Sequence, residues 1–291
     1  MAHKPKLLAD GFLFPETPRW HKRRGRFLIS DIDRGQIIEL ALDGQRRVLY
    51  QAPFWVSGTA FADDETLMVT HATDRALVRV NLESATATPF ARLEAVAQVG
   101  INDMIRTASG HYFVDTVDFD FAAYSRGEAD AKSSVLARVA PDGSVSIATR
   151  EVNFPNGMAI GPNGDALYVA DSLDACIYAF PLAADGTLGP RSCFAELSGE
   201  MPDGISLDAS GALWVATHHR VIRVAKGGEV LEEVDMGSTR ATACMLGGPD
   251  GRTLLITASD SHDRSIITEN PSGRVFKVEV DVPGAGLPSI Y

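Results

Sequence analysis

The stretch "FPNGMAIGPNGDALYVADS" at residues 154–172 returns in altered form along the whole chain. "MPDGISLDASGALWVATHH" (201–219) is the strongest echo. "FPETPRWHKRRGRFLISDI" (14–32), "WVSGTAFADDETLMVTHA" (55–72), "GINDMIRTASGHYFVDT" (100–116) and "TACMLGGPDGRTLLITASD" (242–260) complete the set. Each joins a β-rich run to a second run of large aliphatic or aromatic residues, through a turn of Gly, Asp, Asn or Pro. The residues heading the first runs are Glu16, Ser57, Asn102, Asn156, Asp203 and Ala243, at intervals of 41, 45, 54, 47 and 40 residues. Helical repeats of that length need apolar residues at i, i+3 and i+4, whereas these runs are short and cut by turns, so strands win. A period of about 40–50 residues made of short strands predicts a β-propeller with one four-stranded sheet per blade.

The second half of each repeat agrees. "GQIIELALDGQRRVLY" (35–50), "SVLARVAPDGSVSIAT" (134–149) and "RVIRVAKGGEVLEEV" (220–234) place Asp-Gly or Gly-Gly between alternating apolar residues, a strong hairpin signal. The expected architecture is therefore all-β: one domain over residues 1–291, a six-bladed propeller of four-stranded blades around a central channel. The sixth blade runs out of sequence after "GRVFKVEV" (273–280), so the leading "PKLLADG" is expected to supply its fourth strand and cover the open edge. Two repeats carry extra length after their second strand, at 118–133 and 261–272. These are either plain surface loops or lids over one end of the channel.

A net charge of −11 disfavours nucleic acid and anionic membrane as partners, since the protein's own field repels both. No apolar run reads as a signal peptide or a membrane span. The three cysteines show no metal or redox spacing, and Cys176 and Cys193 fall in neighbouring strands as expected buried thiols. Together these features point to a cytoplasmic location.

In a propeller the innermost strands line the channel, so the head residues should meet. That gathers two carboxylates and two amides in a small space, where unpaired charge is costly. A hard divalent cation keeps two such carboxylates ionised together, and Asp, Glu and Asn oxygens are the donors it prefers. One cation of calcium, zinc, magnesium or manganese is therefore expected, on Glu16, Asn156 and Asp203. Asn-Gly and Asp-Gly are also ordinary turns, but three matched offsets favour the ion site.

These residues resemble the family of six-bladed propellers that includes gluconolactonase, regucalcin (senescence marker protein) and luciferin-regenerating enzyme. The likeness rests on "ETPRW" with "LISDI", on "PNGMAIGPNGDALYVADS" and on "PDGISLDASGALWVA", and runs over essentially the whole chain. It implies metal ligation by Glu16, Asn156 and Asp203, and a substrate contact at the Asn102-Asp103 pair. It also implies hydrolysis of a small-molecule lactone or ester, with Asp203 as the candidate general base. Sugar-lactonase members carry an Arg two residues before that Asn, where Gly100 stands here, and a "GTM" run where this chain reads "VDTVDFD". The departures point to a more apolar pocket, with Trp55, Phe119, Phe121 and Tyr124 as walls.

His71 and His218 end the second strands of blades two and five, on the face that carries the head residues. They are either pocket residues or exposed loop histidines. No GxSxG elbow or His-containing triad pattern is present. A non-catalytic binding scaffold and a metal-free, strictosidine-synthase-like enzyme are the rival readings, and neither needs Glu16 and Asp203 together. A calcium-dependent phosphotriesterase-like hydrolase shares the same ion chemistry. Oligomeric state is not readable from the sequence.

Overall fold

The computed structural model describes residues 2–286, and in it six antiparallel sheets form the blades of a propeller. Blade one runs Pro15–His21, Arg26–Asp31, Gln36–Leu40, Arg46–Gln51 from the channel outward. Blades two to four repeat this order, with inner strands Val56–Phe61, Gly100–Arg106 and Pro155–Ile160. Blade five opens with the short strand Ile205–Leu207, and blade six with Arg240–Gly247.

Each junction between neighbouring blades has its own apolar core. Phe12, Trp20, Phe27, Met245, Leu255 and Val275, for example, close the junction of blades six and one. At the next junction Leu28, Ile37, Phe61, Leu67, Val69 and Val80 interdigitate. This follows from the sequence pattern: second strands such as "RFLISD" and "TLMVTH" are buried on both faces and read as continuous apolar runs.

The expected closure of the ring is present. Lys6–Phe12 pairs antiparallel with Gly273–Glu279 as the outer strand of blade six, with Lys6 opposite Lys277 and Phe12 opposite Gly273. A further strand was not foreseen: Ala2–His3 pairs in parallel with Val230–Asp235 and makes blade five five-stranded. Its sequence is too short to register as a strand without the partner. Cys176 and Cys193 do adjoin, with sulfurs 3.0 Å apart, but only Cys176 is buried; Cys193 is exposed on the outer strand, which corrects the expectation of two buried thiols.

Inner strands share one irregularity. Their pairing with the second strand slips between Glu16 and Arg19, Val56 and Thr59, Ile101 and Met104, Pro155 and Met158, and Ala241 and Ala243. Every head residue outside blade five thus sits at a β-bulge, which re-aims a side chain out of the strand's alternation. The glycine after the head residue has a steric cause. A Cβ on Gly157 would stand 2.6 Å from the Asp203 carbonyl oxygen, and one on Gly58 would stand 2.5 Å from that of Asn102. The backbone of one blade therefore rests directly on the bulge of the next.

Candidate functional site

At the end of the channel where the head residues gather lies a cavity of about 560 Å³. Its floor includes Glu16, Ser57, Asn102, Asn156 and Asp203, drawn from five blades. A hydrogen-bonded chain runs across this floor. Ser57 Oγ donates to Asn102 Oδ1 at 2.6 Å, Asn102 Nδ2 donates to Asn156 Oδ1 at 3.4 Å, and Asn156 Nδ2 donates to Ser172 Oγ at 3.4 Å. The two amides therefore hold each other in a chain that spans blades two to four, and Asn156 also reaches the Asp203 carboxylate.

Electrostatics make the floor expensive without a counter-charge. Burial pushes the Glu16 carboxyl from an ordinary 4.5 up to about 8, with Asp103 adding to the rise against the pull of the Thr17 amide, Arg19 and Thr242. Burial also holds the Asp203 carboxyl well above the usual range, and the negative charges of Glu16, Asp103 and Asp115 push the same way. Arg19 does not pair with either: its Nη2 donates to Asp103 Oδ1 at 2.9 Å and to the Met104 carbonyl. Among the described residues no three His, Cys, Asp or Glu side chains converge as a metal cluster. The donor set is instead two carboxylates and an amide oxygen, all hard oxygens. Two buried carboxylates, with Glu16 raising the pKa of Asp203, fit a hard divalent cation, because such an ion removes the repulsion that burial magnifies.

The structure separates the other expected residues. Asn102 is on the floor, whereas Asp103 lies beneath it in the buried pair with Arg19 and does not line the cavity. His71 is also outside: its Nε2 shares a 3.0 Å hydrogen bond with Tyr50 Oη, and its ring stacks on Tyr50 and tilts against Phe54. That aromatic contact explains a buried histidine at the end of "LMVTH", where a second-strand position faces the neighbouring blade. His218 and Trp55 line the cavity.

Part of the cavity wall comes from the two insertions. Asp120 caps a short helix, Phe121–Ser125, by accepting the Ala123 N–H at 2.9 Å. The cap fixes Phe119, Phe121 and Tyr124 as a cluster against Phe154, with Phe119 and Phe154 ring centroids 5.1 Å apart. The second insertion forms the helix Arg264–Glu269, capped by Asp263. With it His262 and Arg264 join the wall, His262 packing edge-on to Phe121 with ring centroids 5.9 Å apart and the Arg264 guanidinium lying 4.0 Å from the centroid of Trp55. The aromatic walls match the expectation drawn from Gly100, which also lines the cavity and leaves open space: a Cβ there would meet only the Ala72 carbonyl oxygen, at 3.5 Å. Arg240, His262, Arg264, Phe14 and Met201 were missed. No repeat offset marks Arg240, His262 or Arg264, but one does mark Phe14 and Met201: each stands two residues before its head residue, Glu16 or Asp203, as Trp55, Gly100 and Phe154 stand before Ser57, Asn102 and Asn156.

A search among known proteins supplies the family. Residues 14–260 match the model of the SMP-30/gluconolactonase/LRE-like region. A 6-deoxy-6-sulfogluconolactonase of Pseudomonas putida is 34% identical over 166 residues, which span 55% of this chain and 57% of that protein's length. Regucalcin of Gallus gallus is 27% identical over 281 residues, covering 93% and 92% of the two chains. Among solved structures, the fold is shared with a calcium-binding regucalcin of Agrobacterium tumefaciens (TM-score 0.82, 24% identity, 98% and 97% coverage). It is shared too with a gluconolactonase of Xanthomonas campestris (TM-score 0.76, 23% identity, 95% and 88% coverage). With its blade count, its bulged acidic floor and a family match over most of its length, the chain belongs to the SMP-30/gluconolactonase/LRE-like family.

Proposed function

We propose that this protein is a divalent-cation-dependent hydrolase that opens a lactone or ester with an apolar body. The observation that carries the reading is the presence of Glu16, Asn156 and Asp203 on the floor of one cavity whose walls are aromatic. Relatives whose names describe lactonases, such as the sulfogluconolactonase and a pentonolactonase of Haloferax volcanii, support the lactone bond as the target. Regucalcin, described as calcium-binding in Agrobacterium tumefaciens, supports a divalent cation.

Glu16, Asn156 and Asp203 would hold the cation. When bound, that ion supplies a Lewis acid that polarises the substrate carbonyl and stabilises oxyanion charge. The chain's own residues do the remaining work. Phe119, Phe121, Tyr124 and Phe154 exclude water from the apolar part of the substrate and confine it above the floor. Asn102, fixed by Ser57 and Asn156, presents its Nδ2 towards Asn156 and its Oδ1 to the Ser57 hydroxyl, so its orientation is set before substrate arrives. Asp203, kept ionised by the cation, takes the proton of the attacking water on a carboxylate oxygen. Glu16, fixed by the Thr17 N–H at 2.8 Å, stays a ligand.

The test strips divalent metal with a chelator and assays sugar lactones, aryl lactones, aryl esters and a phosphotriester while calcium, zinc, magnesium and manganese are restored singly. Loss of aryl lactone or ester turnover on chelation, with return on adding one cation, is the expected result. Turnover indifferent to chelation overturns the reading, and turnover of the phosphotriester alone replaces the lactone with a phosphorus centre.

A further inference from the structure

The two arginines lining the cavity are committed differently. Arg264 pairs with Asp33 and stacks on Trp55. The Arg240 side chain has no carboxylate, hydrogen-bond acceptor or aromatic ring as a partner among the described residues, although it stands on the cavity wall at the start of blade six. An uncommitted guanidinium beside apolar walls is unusual, because it forgoes the bidentate pairing in which Arg is strongest.

Its neighbours are arranged around it by a backbone contact. His218 adopts φ 61°, a left-handed conformation that costs a residue with a Cβ roughly 1 kcal/mol or more. The strain is held by an isolated bridge between His218 and Ala241, in which the Ala241 N–H donates to the His218 carbonyl at 2.6 Å. The same bridge sets the His218 ring beside Arg240. Behind it the His262 ring lies 5.8 Å from His218, centroid to centroid, and its Nε2 is shut from solvent without a hydrogen-bond partner. Burial first, and the Arg240 charge after it, lowers the proton affinity of His218. Burial, His218 and Arg240 bring His262 down to about 3. Both rings are neutral at pH 7 and each keeps one N–H to donate.

We propose that Arg240 and His218, backed by His262, form an anion-recognising subsite, so that the lactone or ester taken by this cavity carries a carboxylate or sulfonate at the end remote from the scissile bond. The subsite rests on the reading of the cavity as a substrate pocket. Charge placement gives it a physical purpose. Glu16 and Asp203 lie on the floor and Arg240 on the wall of blade six, so an anionic substituent is drawn away from the floor and the neutral carbonyl is left to face it. A chain of net charge −11 repels anions at long range, so binding must come from this local contact rather than from the protein's overall field.

The experiment is calorimetric binding of 4-phenylbutyrate, 3-phenylpropane-1-sulfonate and the neutral 4-phenylbutyramide, to metal-loaded protein and again in chelator. None of the three needs to be turned over. The expected result is that at least one anion binds about tenfold or more tighter than the amide under both conditions, as charge-assisted bonds to a half-buried guanidinium require. Arg240→Gln should bring that anion to within about twofold of the amide, and Arg240→Lys should recover part of the difference, since a point charge replaces the fork. His262→Phe keeps the ring contacts with Phe14 and Phe121 and removes an unsatisfied nitrogen; it should weaken the anion without lowering the melting temperature. Equal binding of anions and amide overturns the subsite. So does a preference that survives Arg240→Gln and vanishes in chelator, which would place the anion on the floor cation. Arg240-dependent anion binding by a protein that hydrolyses no lactone or ester would leave the subsite standing and sink the hydrolase. Turnover of neutral lactones without any anion preference would do the reverse.

Discussion

The floor and the walls of the cavity are made by different means. Floor residues occupy the same position in successive repeats: Glu16, Ser57, Asn102 and Asn156 each sit at a bulge of an inner strand, and Asp203 sits just ahead of one. Their neighbours are backbone atoms of the adjoining blade, packed so closely that Gly58 and Gly157 tolerate no side chain. Some wall residues share an offset too, two before the head residue (Phe14, Trp55, Phe154, Met201), but the rest have no repeat equivalent. Phe119, Phe121 and Tyr124 belong to the blade-three insertion, and His262 and Arg264 to that of blade six. The floor's backbone is thus tied to ring closure, whereas the added wall segments hang on capped helices of five and six residues, where loop positions tolerate change. On the proposed function, such a division would assign bond cleavage to the floor and substrate choice to the walls.

The largest expected effect tests the floor. Glu16→Gln and Asp203→Asn should each lower kcat/KM on the best lactone or ester by on the order of 10²–10³-fold, read from steady-state kinetics with cation titration. The same variants should stabilise the metal-free protein at alkaline pH. A carboxyl whose pKa rises from 4.5 to about 8 on folding costs no stability below pH 4.5, costs progressively more as pH climbs through that window, and costs its full amount above 8. Thermal melts in chelator should therefore fall as pH rises from 4.5 to 8 for the parent, and fall less for Glu16→Gln. Parallel slopes would mean that Glu16 is ionised and compensated without a cation, which breaks the proposed division.

A smaller effect belongs to the walls. Phe121→Ala should raise KM for aryl substrates about tenfold, the loss of one ring contact plus its buried area, and leave kcat within about twofold. A fall in kcat alone would transfer Phe121 to the chemistry. Smallest of all, Gly100→Arg should fold normally, because its Cβ meets nothing closer than 3.5 Å, and should shift the preference between sugar and aryl lactones by only about two- to fivefold. A larger shift would show that this single position, rather than the aromatic cluster, sets the substrate class.

The same contrast explains what could be read beforehand. The blades, the closing strand Lys6–Phe12 and the cavity position of Glu16, Asn102, Asn156 and Asp203 follow from spacing, because ring symmetry converts equal offsets into proximity. Asp103 and His71 escaped that logic. Both lie within one residue of a position that faces the channel, yet each is turned to a partner, Arg19 or Tyr50, that lies far away in sequence and shares no offset with it. Arg240 and His262 were invisible for the converse reason: what matters about them is a partner they lack and a strained bridge at His218, neither of which leaves a pattern in one sequence.

The strand Lys6–Phe12 has a consequence for how the molecule comes into being. It leaves the ribosome ahead of every other strand of the blade it completes, yet its hydrogen-bonding partner, Gly273–Glu279, emerges only when synthesis is nearly over. Throughout that interval Leu7, Leu8 and Phe12 have no sheet to join, and five blades can be in place while the circle stays open. Closure therefore waits on its final contact, and a nascent chain stalled before residue 273 would leave Lys6–Phe12 without its partner and the first and last blades unjoined.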